Sequence, residues 1–186
     1  MVRRRPFQPR PRRRRPTPLL RANALMEDGE FARAAPLFDR LAVEARRQGM
    51  PIRSANLALR AAQAYLAQDD VDVALDRILR VIRVLARHGR AERVGRIVTR
   101  ADDELRGRGY DAQADELAEF AEGVLGETGL SLDNLKTSSA ARATEAHGSL
   151  PARCVGCGAP LAPDDVTWHD AQTAECPYCG TVIKTT

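Results

Sequence analysis

"GEFARAAPLFDRLA", residues 29–42, packs a chain break, a small contact residue and an apolar stripe into one short run. Gly29 is a helix stop. Phe31, Leu37, Phe38 and Leu41 fall at the three- and four-residue spacing of one helical face. Ala34 gives that face a place where a neighbouring helix can come close. Leu25, four residues before the glycine, ends the buried face of the preceding helix.

Outward from this stretch the arrangement recurs. Gly29, Asp69 and Gly109 are 40 residues apart, as are Ala34, Ala74 and Ala114, and Leu25, Tyr65 and Leu105. A large apolar residue, a turn residue and a small alanine at fixed offsets describe a helical hairpin. Six amphipathic helices are expected, within 17–29, 30–49, 51–68, 71–89, 91–109 and 111–126. Thr17 is the expected N-cap of the first, with Pro18 at its first helical position. Pro36 lies early in the second, where a lost backbone bond permits a kink. Composition agrees: aromatics are 4% and the commonest residues are unbranched helix formers.

The run 29–42 resembles the tetratricopeptide repeat (TPR) family, and 69–79 ("DDVDVALDRIL") and 109–121 ("GYDAQADELAEFA") are fainter copies. The resemblance covers residues 18–125 and implies three TPR-like α-hairpins. The usual repeat length is about 34 residues, so the 40-residue period leaves other helical hairpins, HEAT-like ones included, open. Arrays of this kind hold peptides in a concave groove lined by the first helix of each pair. In that geometry Arg93, Arg96 and Arg100, on one face of the fifth helix, are candidate contacts for an acidic peptide of an unidentified partner protein. Arg80, Arg83 and Arg87 share a face of the fourth helix.

The four cysteines all lie in 154–179: Cys154 and Cys157, then Cys176 and Cys179, with eighteen residues between pairs. This fits the C-x₂-C-x₁₅₋₂₀-C-x₂-C spacing of a zinc site. Two residues between sulfurs let one tight turn present both to one ion, and two turns complete a tetrahedron. Gly156, Gly158 and Gly180 suit such turns. Amide N–H groups that follow each turn can point at the sulfurs. The flanks "APLAPDD", "VTWHDAQTAE" and "GTVIKTT" read as a turn and short strands. The segment resembles the zinc-ribbon class, and its CxxCG and CPxCG turns are similar to those of rubredoxins. Resemblance to zinc ribbons implies one structural Zn²⁺ on the four cysteines. Rubredoxin-like iron is less favoured, because the usual spacing there is longer, and a metal-free dithiol also remains. His169 is a conceivable substitute ligand. Trp168 and Tyr178 are expected over a small ribbon core, with base stacking as the alternative.

The rest of the chain bounds function more than it names it. The 29 Lys and Arg against 25 Asp and Glu give a net charge of +4. Eight arginines, Arg3, Arg4, Arg5, Arg10, Arg12, Arg13, Arg14 and Arg15, fall before residue 17, so the remainder carries 21 basic and 25 acidic groups. Residues 1–17 are expected to be a disordered Arg/Pro-rich arm, either solubilising or able to contact nucleic-acid phosphates weakly. Residues 126–152 read as a linker, with Leu130, Leu132 and Leu135 as a candidate docking turn and 137–146 as an alternative frayed helix. Residues 153–186 form the zinc ribbon. No apolar run is long enough to span a membrane, and paired thiols suit a reducing, cytoplasmic compartment. His88 and His147 stand alone, and no phosphate loop, GxGxxG or GxSxG occurs. The expectation is a mainly α, non-catalytic protein–protein adaptor. The alternative is a nucleic-acid-associated factor using the arm and ribbon, and an iron redox protein comes third.

Overall fold

The computed structural model describes residues 16–127, 129–135, 148–163 and 165–185. The expectations for the arginine arm at 3–15, for a helix through 137–146 and for His147 lie outside the described residues. Six long helices follow one another: α1 (Pro18–Glu27), α2 (Phe31–Arg47), α3 (Pro51–Leu66), α4 (Val71–Arg87), α5 (Ala91–Gly107) and α6 (Asp111–Gly126). A single helical turn covers 132–135. A small antiparallel sheet closes the described chain, with β1 (Thr167–Asp170), β2 (Thr173–Glu175) and β3 (Val182–Lys184) in the order β1-β2-β3.

The helices end for one reason repeated six times. Gly29, Gly49, Asp69, Gly89, Gly109 and Gly129, twenty residues apart, all sit in the left-handed backbone region. The residue after each donates its N–H to a carbonyl five residues earlier, at 2.8–3.1 Å. That closure satisfies helix-end carbonyls that would otherwise be orphaned. Asp69 is the one non-glycine in the set, at φ +62°, a conformation that costs side-chain-bearing residues energy. Side-chain capping contributes little by comparison. Thr17 Oγ1 accepts from the Leu20 amide at 3.2 Å, as expected, while among the described residues α2 to α6 have no side-chain cap. Pro36 lies within an unbroken α2, on its exposed side, where water can meet the carbonyl it leaves unpaired.

The small residues do what their spacing predicts. Ala34, Ala74 and Ala114 are fully buried or nearly so, and Leu25 and Leu105 are buried beside them. Two cores result. One runs through α4, α5 and α6 and takes in Leu132 and Leu135 from the helical turn. The other joins α1 and α2 to the C-terminal module through Phe38, Ala159, Tyr178 and Ile183. Helix α3 serves both, giving Leu57 and Ala61 to one and Ala55, Ala62 and Leu66 to the other.

One strand expectation changes. "VTWHDAQTAE" is not one strand but a hairpin: Trp168 pairs with Ala174 and the chain reverses at Ala171 and Gln172. The Asp170 carboxylate accepts from the Gln172 amide at 2.8 Å, which stabilises the reversal. "APLAPDD", expected as a turn, has turn residues at 163 and 165 and an isolated bridge from Pro160 to Arg153.

Candidate metal centre

Each cysteine pair lies on a tight turn, and the two turns match bond for bond. In the first, Gly158 N–H donates to Cys154 O at 2.8 Å and Cys154 N–H to Ala159 O at 2.8 Å. In the second, Gly180 N–H donates to Cys176 O at 3.0 Å and Cys176 N–H to Thr181 O at 3.0 Å. Gly158 and Gly180 both sit at φ +75°, which only glycine adopts without strain. Two sulfurs on each turn therefore point the same way.

The four Sγ atoms lie within 4.8 Å of one another. Cys154 and Cys179 are 3.6 Å apart, Cys157 and Cys176 3.8 Å. A tetrahedron with metal–sulfur bonds of about 2.3 Å has edges of roughly 3.8 Å, so the donor set fits one ion. Cys154, Cys157 and Cys176 are buried and Cys179 is partly so. An amide inside the first turn faces a sulfur, Gly156 N at 3.4 Å from Cys154 Sγ, and the Ala159 amide just after that turn faces Cys157, while the glycines of the CG steps donate to cysteine carbonyls instead. The Cys179 sulfur also meets Thr181 Oγ1 at 3.1 Å.

Crowding splits the thiol protons unevenly. The hydrogen bond to Cys176, then burial, pushes the Cys157 thiol far up. Cys176 is drawn down to about 5, first by that same hydrogen bond and then, against burial, by the Tyr178 and Cys179 amides. Burial, partly offset by the Gly156 and Cys157 amides, raises Cys154. A cation bound by all four sulfurs would displace the remaining protons, because the ligands must be thiolates.

The cluster is seated on the helices by side chains that meet the two turns. Asn23 of α1 donates to Cys157 O at 2.8 Å. Asn56 of α3 donates to Pro177 O at 2.7 Å, and Arg53 Nε donates to Tyr178 O at 2.8 Å. Asn23 and Asn56 are the two buried polar residues of the helical core. Tyr178 is buried in the core that the module's own Ala159 and Ile183 share with the helices. Arg60 and Arg93 lie near it. Burial lowers the pKa of both guanidiniums, opposed for Arg60 by Tyr178 and Cys157 and for Arg93 by Asp165 and Tyr178. Four thiolates around a divalent ion carry two negative charges, which would offset the cost of burying these cations.

The other residues singled out from the sequence fall elsewhere. His169 is outside the sulfur cluster and lies 3.2 Å from Glu175, half exposed. Trp168 is half-buried on β1 and donates to Pro163 O at 3.0 Å. Arg100 lies 3.8 Å from Asp165. Arg93 and Arg96 line a cleft of about 990 Å³ between the starts of α3 and α5, the 132–135 turn and the second cysteine turn. Among the described residues, buried Asn56 Oδ1 and Arg93 Nε have no hydrogen-bond partner there. Arg80 pairs with Asp76, and Arg83 lies over the Phe120 ring. Asn23, Arg53 and Asn56 carried no signal in the sequence beyond a polar residue on a helix.

What fold and site define together is a helical chain with a C-terminal cluster of four cysteines able to bind a metal ion. Among the described residues no helix is long and apolar enough to cross a membrane. Compared with protein-family models, curated proteins and solved structures, the chain matches none.

Proposed function

We propose that the chain is a non-catalytic adaptor. Its TPR-like hairpins carry a surface for a partner protein, and a structural Zn²⁺ on Cys154, Cys157, Cys176 and Cys179 organises a zinc ribbon. The observation that carries this is the closed sulfur tetrahedron. Four thiolates fill the coordination of zinc and leave no position for water or substrate. The same cluster is half wrapped by α1 and α3, so the ion's work is to hold surfaces in place.

The partner surface in this reading is the cleft beside the ribbon, where Arg53, Arg90, Arg93 and Arg96 meet the uncapped starts of α3 and α5. Uncapped helix starts favour negative charge. Three acids line the cleft: Asp165 faces Arg93 and Arg100, Glu175 faces His169, and Glu92 stands in the first turn of α5. An acidic peptide from a partner protein suits this cleft.

The test has two arms. Elemental analysis of reduced, freshly purified protein should return one zinc per chain. Iron at that stoichiometry would replace zinc in the assignment. A fluorescent hexaglutamate peptide should bind, and glutamate at Arg90 and Arg96 should weaken it tenfold or more at unchanged helix content. If polyadenylate RNA binds instead, and deleting residues 1–17 abolishes that binding and its salt dependence, the protein is a nucleic-acid-associated factor.

A further inference from the structure

The metal centre does not end at its sulfurs. Asn23 reaches the carbonyl of a cysteine that is itself a candidate ligand, Cys157. Asn56 and Arg53 reach consecutive carbonyls inside the second turn, Pro177 and Tyr178. The three donors come from two helices, α1 and α3, and the three acceptors from the two turns that bring the four sulfurs together. All three bonds have good lengths at once only if both turns are formed and correctly spaced. The two asparagines are 1% and 2% exposed, so water cannot replace a lost partner without the contact opening.

We propose that Asn23, Arg53 and Asn56 are an outer shell of the metal centre, so that one bound ion latches the C-terminal module onto α1 and α3 and its loss releases them. This rests on the metal reading above. The sheet module has three strands of three or four residues, too little to hold the turns by itself. The cation supplies their register. Docking supplies the reverse coupling, because side chains that fix a ligand residue from outside also hold the ion. Tyr178 and Ile183 travel with the module and, on release, leave Phe38, Leu57 and Ala61 uncovered. The metal state of the C-terminus is thereby read out on the helices some hundred residues earlier in the chain.

The experiment uses the full reduced chain, with the ion measured first. Amide exchange by mass spectrometry is compared before and after stripping with a chelator. Stripping should raise exchange of α1 and α3 tenfold or more while α4 and α6 change little. In a second measurement, Asn23→Ala and Asn56→Ala are made singly and together, and ion release to a chromogenic chelator is timed. At unchanged helix content, each should release the ion about tenfold faster, in the range of outer-shell losses, and Arg106→Ala should not. A chain that binds one ion, keeps α1 and α3 protected when stripped and releases the ion at the parent rate in both variants overturns the latch alone. A chain that binds no ion overturns the metal reading itself.

Discussion

Gly95 of α5 and Leu135 of the 132–135 turn meet so closely that a β-carbon on Gly95 would lie 3.1 Å from the Leu135 β-carbon. The missing side chain is what lets this turn dock. Gly95→Leu should therefore undock it and lower stability by about 1–3 kcal/mol, the ordinary cost of overpacking. Gly123, inside α6, has nothing within 4 Å of its would-be β-carbon. There Gly123→Ala should raise stability by about 1 kcal/mol, from helix propensity alone. Urea titrations of the two variants should move in opposite directions. Equal shifts would mean that Leu135 does not rest on Gly95.

Asp69 takes the left-handed conformation that five glycines adopt at the other turns. Its carboxylate lies 3.3 Å from Arg108, in a pair that is mostly exposed at the aspartate, and exposed pairs contribute little. Asp69→Gly should raise stability by about 0.5–1 kcal/mol, since relief of the backbone conformation outweighs the pair. A lower midpoint in thermal unfolding would show that the Arg108 contact matters more than the backbone.

These turns also show how much of the molecule was legible in the sequence. Gly29, Asp69 and Gly109 disclosed a 40-residue spacing, yet the chain turns every 20. Gly49, Gly89 and Gly129 complete the series; Leu85 and Leu125 stand four residues before two of them, but Ala45 precedes the third and Ser54, Val94 and Asn134 replace the alanine that marked the first three. The cysteine turns were fully legible, because metal chemistry imposes local spacing. Leu132 and Leu135 were legible as a candidate docking turn through their apolar character. The seat of the module was not. Asn23, Arg53 and Asn56 are polar residues on helices, where a solvated face is the ordinary reading, and only tertiary contact converts them into donors to a distant backbone. The arginine stripe of α5 was legible as a candidate peptide contact in a groove between helices, but not as one wall of a cleft. The module that borders it lies more than sixty residues further on.

Asp39 organises the α2–α4 contact. Arg77 holds its two oxygens through Nε at 3.0 Å and Nη2 at 3.1 Å, and the Tyr65 hydroxyl donates to it at 2.9 Å. Asp39→Ala should cost about 2 kcal/mol, since a two-pronged charged pair and a neutral bond are lost together. The pH dependence has a definite sign. Burial first, then Asp39, raises the Tyr65 pKa above its usual value near 10. A proton held more tightly in the folded state stabilises below the unfolded pKa, and that contribution is lost as pH rises past 10. Tyr65→Phe should be less stable than the parent at pH 7 and should lose less between pH 10 and 11. Parallel stability curves would exclude Tyr65 from the alkaline transition.

Removing a sulfur should separate ligand from bystander. Cys157→Ser should abolish stoichiometric metal binding and, because the sheet has little core of its own, unfold the C-terminal module. His169→Ala should leave metal content unchanged, since His169 faces Glu175 and lies outside the sulfur cluster. Cobalt substitution gives the readout: thiolate-to-cobalt absorption should appear in the histidine variant at parent intensity and be lost or altered in the serine variant. A histidine variant with lost absorption would put a nitrogen in the coordination shell.

The two cysteine turns touch through Gly156 and Thr181. A β-carbon on Gly156 would overlap Thr181 Oγ1 and come within 3.2 Å of Thr181 Cβ. That hydroxyl is engaged with Cys179 Sγ at 3.1 Å, so Gly156→Ala must either turn the threonine off the sulfur or spread the turns. Threonine is stiff about its first torsion, and both outcomes disturb the tetrahedron. Gly156→Ala should weaken metal binding about tenfold, within the range for changes just outside the ligands. Thr181→Ala alone should cost less, because a partly buried hydroxyl is lost without a new clash. The pair should be non-additive. With Oγ1 gone the added methyl meets only Thr181's remaining β-carbon, a contact a few tenths of an ångström of movement relieves. The double variant should therefore bind metal more tightly than Gly156→Ala alone. Competition with a chelator of known affinity measures all four members of the cycle, and strict additivity would mean that the two turns do not press on each other through this contact.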